Sequence, residues 1–426
     1  LTMNRIVLIG NGFDLAHGLK TSYADFINWY WEQWRDKLIS CHSPHAHDEL
    51  CTLSLDLEET RDRKETWHSL LYSHMHSFQS MAGMKFYDYL KSYGIIIKIF
   101  TPLLEAIMHD VNHQNWVDIE RIYYRLLCDS LKENSKVSPS ELNTQLAVLT
   151  EKLTEYLKYV EGNNEIKGNL NNAIIRKLYS PINPNEIAIC ASQQKRDWIE
   201  QLKKADPDIL YYKLSDYEKQ YKFLKYDIPD CIEKIKKDEK VIDQNFQLVS
   251  ELFLPEQVML VNFNYTHIAD VYIPNSPYNH TFFVNHIHGE LESPQSIIFG
   301  YGDELDKHYK ELEELNDNEY LNNIKSIKYL EATNYRNLLA FIESAPYQIY
   351  IMGHSCGNSD RTLLNTLFEH ENCISIKPFY YQKEDGSDNY TEIAQNISRN
   401  FKDKQALRDK VVPKDYCEPL PQASAN

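Results

Sequence analysis

A strand with no neighbour close by in the chain constrains this sequence most. Arg5-Ile6-Val7-Leu8-Ile9 is apolar on consecutive positions and runs into Gly10-Asn11-Gly12. A run without polar alternation marks a strand covered on both faces, as in a parallel sheet. Parallel neighbours need long crossover connections. The next run of the same texture comes only at Val258–Phe263, followed by Thr281–His286, Ser296–Phe299, Gln348–Met352 and Cys373–Pro378. The expected fold is therefore α/β and Rossmann-like, a mostly parallel sheet interrupted early by a large helical insertion. We expect the sheet domain over residues 1–27 and 251–411 and the insertion over 28–250. The segment 412–426, with three prolines and little apolar content, is expected to be a disordered tail.

The insertion reads as helix after helix. Ser138-Pro139-Ser140-Glu141 supplies an N-cap, a first-turn proline and a capping-box glutamate. Behind it Leu142, Leu146, Leu149, Leu153, Tyr156 and Val160 form one apolar stripe, for packing within the chain or against a second copy. A homo-oligomer through the insertion is thus one expected partnership. Nucleic acid is disfavoured, because 62 acidic against 45 basic residues give a net charge of −17 that repels phosphate backbones. The local run Lys234, Lys236, Lys237 and Lys240 reads as a solvated helix face. No apolar run reaches the ~18–20 residues of a membrane span. The eight cysteines lack paired spacing, so reduced thiols and a cytoplasmic location are expected.

Chemistry concentrates at four strand ends, where α/β sheets bind ligands. Gly10-Asn11-Gly12-Phe13-Asp14 can bring backbone N–H groups close to an anion, with a helix expected from Asp14. Leu15 occupies the third glycine position of the dinucleotide fingerprint, and no Gly-Lys-Ser/Thr follows, so hydride-transfer and phosphate-loop chemistry are disfavoured. The plainer reading is a tight turn with Asp14 as a helix cap. In Asn262-Phe263-Asn264-Tyr265-Thr266, Asn264 can donate to and accept from a ribose hydroxyl, or satisfy loop backbone. Asn285-His286-Ile287-His288-Gly289 offers a histidine as general base, against a zinc pair lacking further ligands or a hydrogen-bonded core residue. Gly353-His354-Ser355-Cys356-Gly357-Asn358-Ser359-Asp360 is too loose for a nucleophile elbow. Asp118 and Glu120 are either orienting acids or first-turn residues of a helix. Cys41, His42, His45, His47 and Cys51 fit no standard zinc spacing, and no metal is expected.

The order of these strand ends resembles the sirtuin-type nucleotide fold: Gly10, Gly12 and Gly18, then Asn264, then His288-Gly289, then Gly353 and Ser355. Over nearly its full length the chain resembles the AbiH-type family of bacteriophage abortive-infection proteins. Ile9-Gly10-Asn11-Gly12-Phe13-Asp14, Asn262-Phe263-Asn264-Tyr265-Thr266, His286-Ile287-His288-Gly289 and Gly353-His354-Ser355 carry that match. The resemblance implies a phage-defence protein that hydrolyses the N-glycosidic bond of NAD, with NAD as substrate or ligand. Asn264 and His288 would then be catalytic, and Gly10, Asn11, Gly12, Asp14, His286, Gly353, Ser355 and Asp360 would bind the nucleotide. Thr266 stands where sirtuins carry an acid, Asp14 replaces a small residue, and no Cys-x-x-Cys is present, so protein deacylation is not expected. A hydrolase emptying its own cell of NAD needs low basal activity and a phage-derived trigger or an assembly step. Two alternatives stay open: a non-catalytic nucleotide sensor or oligomerising module, and a metal-dependent nuclease or phosphoesterase using Asp118, Glu120, Asp303 and Asp360.

Overall fold

The computed structural model describes residues 3–40, 45–55, 80–92, 95–113, 118–132, 135, 137–163, 170–204, 254–274 and 281–422. In chain order the strands are β1 (Asn4–Ile9), β2 (His45–His47), β3 (Cys51–Leu55), β4 (Ile95–Ile99), β5 (Val258–Asn262), β6 (Phe282–His286), β7 (Tyr347–Met352) and β8 (Cys373–Phe379). β1 and four of the others form one sheet in the order β6-β5-β1-β7-β8, and every pairing in it is parallel. From β1 the chain builds outward to β5 and β6 on one side, then returns to build β7 and β8 on the other. The order therefore reverses beside β1, and a crevice opens there at the carboxyl ends of the strands.

Side-chain alternation divides the apolar load between the two faces. Val7 and Ile9 of β1, Leu260 of β5 and Met352 of β7 join a core with Trp31, Leu104, Tyr123 and Leu146. Ile6 and Leu8, Val261, Ile349 and Ile351 face the opposite way, against Leu338, Phe341, Leu364 and Phe368. The described helices of the middle segment thus cover one sheet face and share its core. Helix Tyr23–Ser40 runs through residues 27 and 28 without a break.

Three expectations are corrected. The middle segment is not purely helical: β2, β3 and β4 make an antiparallel sheet in which Ile95 lies opposite Leu55 and Ile99 opposite Cys51. Ser296–Phe299 is not a strand. It follows a 3₁₀ turn at Pro294–Ser296, and its backbone is satisfied from outside a ladder: Ile298 N–H donates to His288 O (2.8 Å) and Ile298 O accepts from Tyr265 Oη (3.1 Å). Residues 412–422 of the supposed tail are ordered against the β8 end of the sheet. Val412 N–H donates to Ile376 O (2.9 Å), Leu420 N–H donates to Tyr380 O (2.8 Å), and both side chains are buried. Proline at a sheet margin leaves no ladder donor missing, so its abundance did not argue for disorder. The apolar stripe of helix Pro139–Gly162 is buried within the chain from Leu142 to Val160, the first of the two uses expected for it. The lysine run at 234–240 and Cys41 and His42 lie outside the described residues. Among the described residues no helix is long and apolar enough to cross a membrane.

Candidate functional site

A cleft of about 1130 Å³ occupies the crevice. Gly10, Asn11, Gly12, Asp14, Asn264, His288, Gly353, Ser355 and Asp360 all line it, as do Asp118 and Glu120. His286 does not. Its Nε2 lies 3.2 Å from Asp270 Oδ1, away from the cleft lining, which leaves His288 as the histidine of that pair facing it.

The glycines serve backbone packing rather than an open anion cradle. A Cβ on Gly10 would sit 2.5 Å from His354 Cα, and one on Gly12 would sit 2.9 Å from Gly353 Cα. Gly353 has φ +78°, and its Cβ position lies 2.0 Å from Phe13 N. The turn amides are already engaged: Gly10 N–H with Met352 O, Gly12 N–H with Gly353 O, and Phe13 N–H with Gly10 O. The expectation that Gly10 and Gly12 present amides to a phosphate is therefore corrected for this conformation. The helix starts at Asn11, not Asp14, and Gly10 is its cap residue.

Asp14 instead sits inside that helix, buried, with each carboxyl oxygen held. Asn264 Nδ2 donates to Oδ1 (2.6 Å) and Thr266 Oγ1 donates to Oδ2 (2.7 Å). Thr266, standing where an acid was expected, is thus the hydroxyl partner of an acid supplied by another element. Asn264 Nδ2 also donates to Gly10 O (3.0 Å), so both amide hydrogens are used and Oδ1 has no hydrogen bond among the described residues. Toward a ribose hydroxyl Asn264 can accept but not donate.

Burial lifts the Asp14 carboxyl to about 7, with the Thr266 and Asn264 hydrogen bonds opposing. An unfolded aspartate titrates near ~3.9. Between these values the folded chain holds a proton that the unfolded chain releases, so stability falls as pH rises from about 4 to about 7. We expect urea unfolding to show wild type losing on the order of 3 kcal/mol relative to Asp14→Asn between pH 4 and pH 8. Parallel pH profiles for the two proteins would refute this.

Across the cleft lies a buried ionic network. Lys325 Nζ reaches Glu120 Oε1 (2.9 Å) and Asp360 Oδ1 (2.8 Å). Asp360 Oδ1 is 3.3 Å from His288 Nε2, and Asp360 Oδ2 is 3.4 Å from His354 Nε2. His354 Nδ1 accepts from Cys356 N–H (3.0 Å), which assigns the proton of a neutral ring to Nε2, facing Asp360. Tyr329 Oη lies 3.1 Å from His288 Nε2, and His288 Nδ1 has no hydrogen bond among the described residues. Burial opposes the charge on Asp360, yet Lys325 and His288 hold its carboxyl well below the usual range. Burial and the Lys325 charge push His288 down to about 4, so its ring is neutral at pH 7. Burial raises Glu120, against the pull of Lys325. A neutral imidazole oriented by an ionised aspartate can take a proton from water or a hydroxyl.

The carboxylates considered as metal ligands are otherwise occupied. Glu120 and Asp360 share Lys325, Asp303 pairs with Arg361 (3.2 Å), and Asp118 caps helix Ile119–Asp129 by accepting from Arg121 N–H. A cation here would have to displace a buried ammonium, which weighs against a metal-dependent nuclease. Sequence reasoning missed Lys325, Tyr329 and the role of His354. Lys325 heads a four-residue helix with Lys328 at its other end, and nothing local distinguishes it from a solvated lysine.

A family model described as "Bacteriophage abortive infection AbiH" matches residues 6–382, a span that contains every cleft residue named above. No curated protein and no solved structure matches the chain.

Proposed function

Because the chain belongs to the AbiH family of bacteriophage abortive-infection proteins, and so has a role in phage defence, we propose that it acts by hydrolysing the N-glycosidic bond of NAD in the cleft. The observation that carries the reading is the neutral His288, oriented by an ionised Asp360, in a cleft that also holds Asn264. Loss of nicotinamide needs little nucleophilic push, because the pyridinium departs neutral and leaves an oxocarbenium-like ribose. Asn264 Oδ1 accepts from a ribose hydroxyl and fixes the sugar. Water adds to the anomeric carbon as its proton passes to His288 Nδ1, while Nε2–H points to Asp360. The acidic lining favours the developing positive charge. The diphosphate lies toward the exposed guanidinium groups of Arg121 and Arg399 at the cleft margin, since the glycine-turn amides are engaged.

The test is nicotinamide release from NAD by purified protein, with and without extract of phage-infected cells. His288→Ala should lower turnover by about 10²–10⁴-fold. Asn264→Ala should abolish it, with folding checked by the melting curve. No release under either condition would refute hydrolysis. An NAD-dependent rise in Tm without release would instead identify a nucleotide sensor.

A further inference from the structure

A second cluster of chemical groups lies behind the cleft, and the proposed reaction does not use it. Glu161 comes from the end of helix Pro139–Gly162, His267 follows Asn264 by three residues, and Glu292 follows His288 by four. His267 Nδ1 is 3.3 Å from both Glu161 carboxyl oxygens, and Nε2 is 2.5 Å from Glu292 Oε2. One ligand atom from each residue lies within 4.8 Å of the others, a spacing that a single ion can bridge. Glu290 Oε2 stands 3.6 Å from His267 Nε2 and 3.9 Å from His286 Nε2, and His286 is in turn bonded to Asp270.

Two features of this cluster call for a cation. Four carboxylates converge (Glu161, Glu290, Glu292 and Asp270), and among the described residues their countercharge comes from histidine rings alone: Glu161 pushes His267 up to about 9, so a bound ion would take the place of that ring's proton. Asp270 Oδ2 is also buried without a hydrogen-bond partner. The sequence does not reveal this set, because its members arrive from three separate parts of the chain.

We propose that Glu161, His267 and Glu292 bind one divalent transition-metal ion, Zn²⁺ in the first instance, with Glu290 as the adjacent carboxylate. One imidazole and two carboxylates form a nitrogen–oxygen donor set suited to zinc and disfavoured by magnesium, which prefers oxygen and retains its water. The ion would fasten three elements together: the helix end, the loop bearing Asn264 and Thr266, and the loop bearing His288. Its role is then to hold the two sides of the cleft in register, not to take part in the chemistry there.

The experiment strips the full-length chain with chelator, dialyses it against Zn²⁺, and measures bound metal and Tm, so that its outcome is independent of any turnover. The expected result is one tightly bound equivalent with a raised Tm, displaced by neither Mg²⁺ nor Ca²⁺. Glu292→Gln should weaken binding at least tenfold. Its side chain is 67% exposed, so the variant folds. His267→Gln should do the same, whereas a Cys41→Ser/His42→Ala variant should keep the equivalent. Absence of a bound equivalent, displacement by Mg²⁺, or full binding by both Glu292→Gln and His267→Gln would overturn the assignment.

Discussion

Lys325→Met should cost the folded chain about 3–5 kcal/mol, the usual consequence of removing one partner from a buried ion pair. The lysine is fully buried, and its ammonium is the only cation that bonds both Glu120 and Asp360 among the described residues. Without it two buried carboxyl groups lie close together with no ammonium between them, and one of them must take up a proton. The His288 and His354 rings bonded to Asp360 would lose their fixed counter-charge geometry as well. Methionine fills much of the lysine volume, so the loss reports charge rather than a cavity. Pairing the change with Glu120→Gln should recover part of it, because the excess negative charge is then reduced; neighbours in one network couple in this way. Urea unfolding at pH 7 measures both. A loss under 1 kcal/mol for Lys325→Met would show that the network is not holding the site.

Gly353→Ala should be at least as damaging, about 4 kcal/mol or more, or leave no folded protein. Two costs combine there. A residue with a Cβ pays about 1–2 kcal/mol for left-handed backbone. The added methyl would also meet Phe13 N at 2.0 Å, where the glycine turn crosses the end of β7. Gly386 separates the two costs: its φ is +82°, yet nothing lies within 4 Å of its Cβ position. Gly386→Ala should therefore lose only the conformational part. Equal losses at the two positions, by urea unfolding, would remove close packing from the explanation.

The sheet strands were readable because burial on both faces leaves mostly apolar runs, as in β1 and β5, even where Gln348 interrupts β7 and Ser375 and Lys377 interrupt β8. Their spatial order was not readable, since nothing local tells Val258–Asn262 which flank of β1 to take. Strand ends named most of the cleft, because a parallel sheet delivers those ends to one side. What failed depended on contacts between distant segments. Ile95–Ile99 becomes a strand by meeting Cys51–Leu55. Ser296–Phe299 has strand-like composition, but its hydrogen bonds go to His288 and Tyr265. Asp14 looked like a helix cap or an obstacle to phosphate until Asn264 and Thr266 were seen to hold it. Lys325 acquires its role only through acids about 205 and 35 residues away.

The position of β1 at the centre of the sheet also sets a schedule for synthesis. It leaves the ribosome before the other strands of the sheet, but its two partners face it with Arg5 opposite Val258 and Asn4 opposite Tyr347, about 250 and 340 residues later. Pairing over such separations is slow and leaves strand edges exposed in the meantime. A nascent chain halted before β7 therefore carries the glycine turn but lacks the wall that turn is packed against. For a member of a bacteriophage abortive-infection family, the cleft comes into being only once β7 has been made.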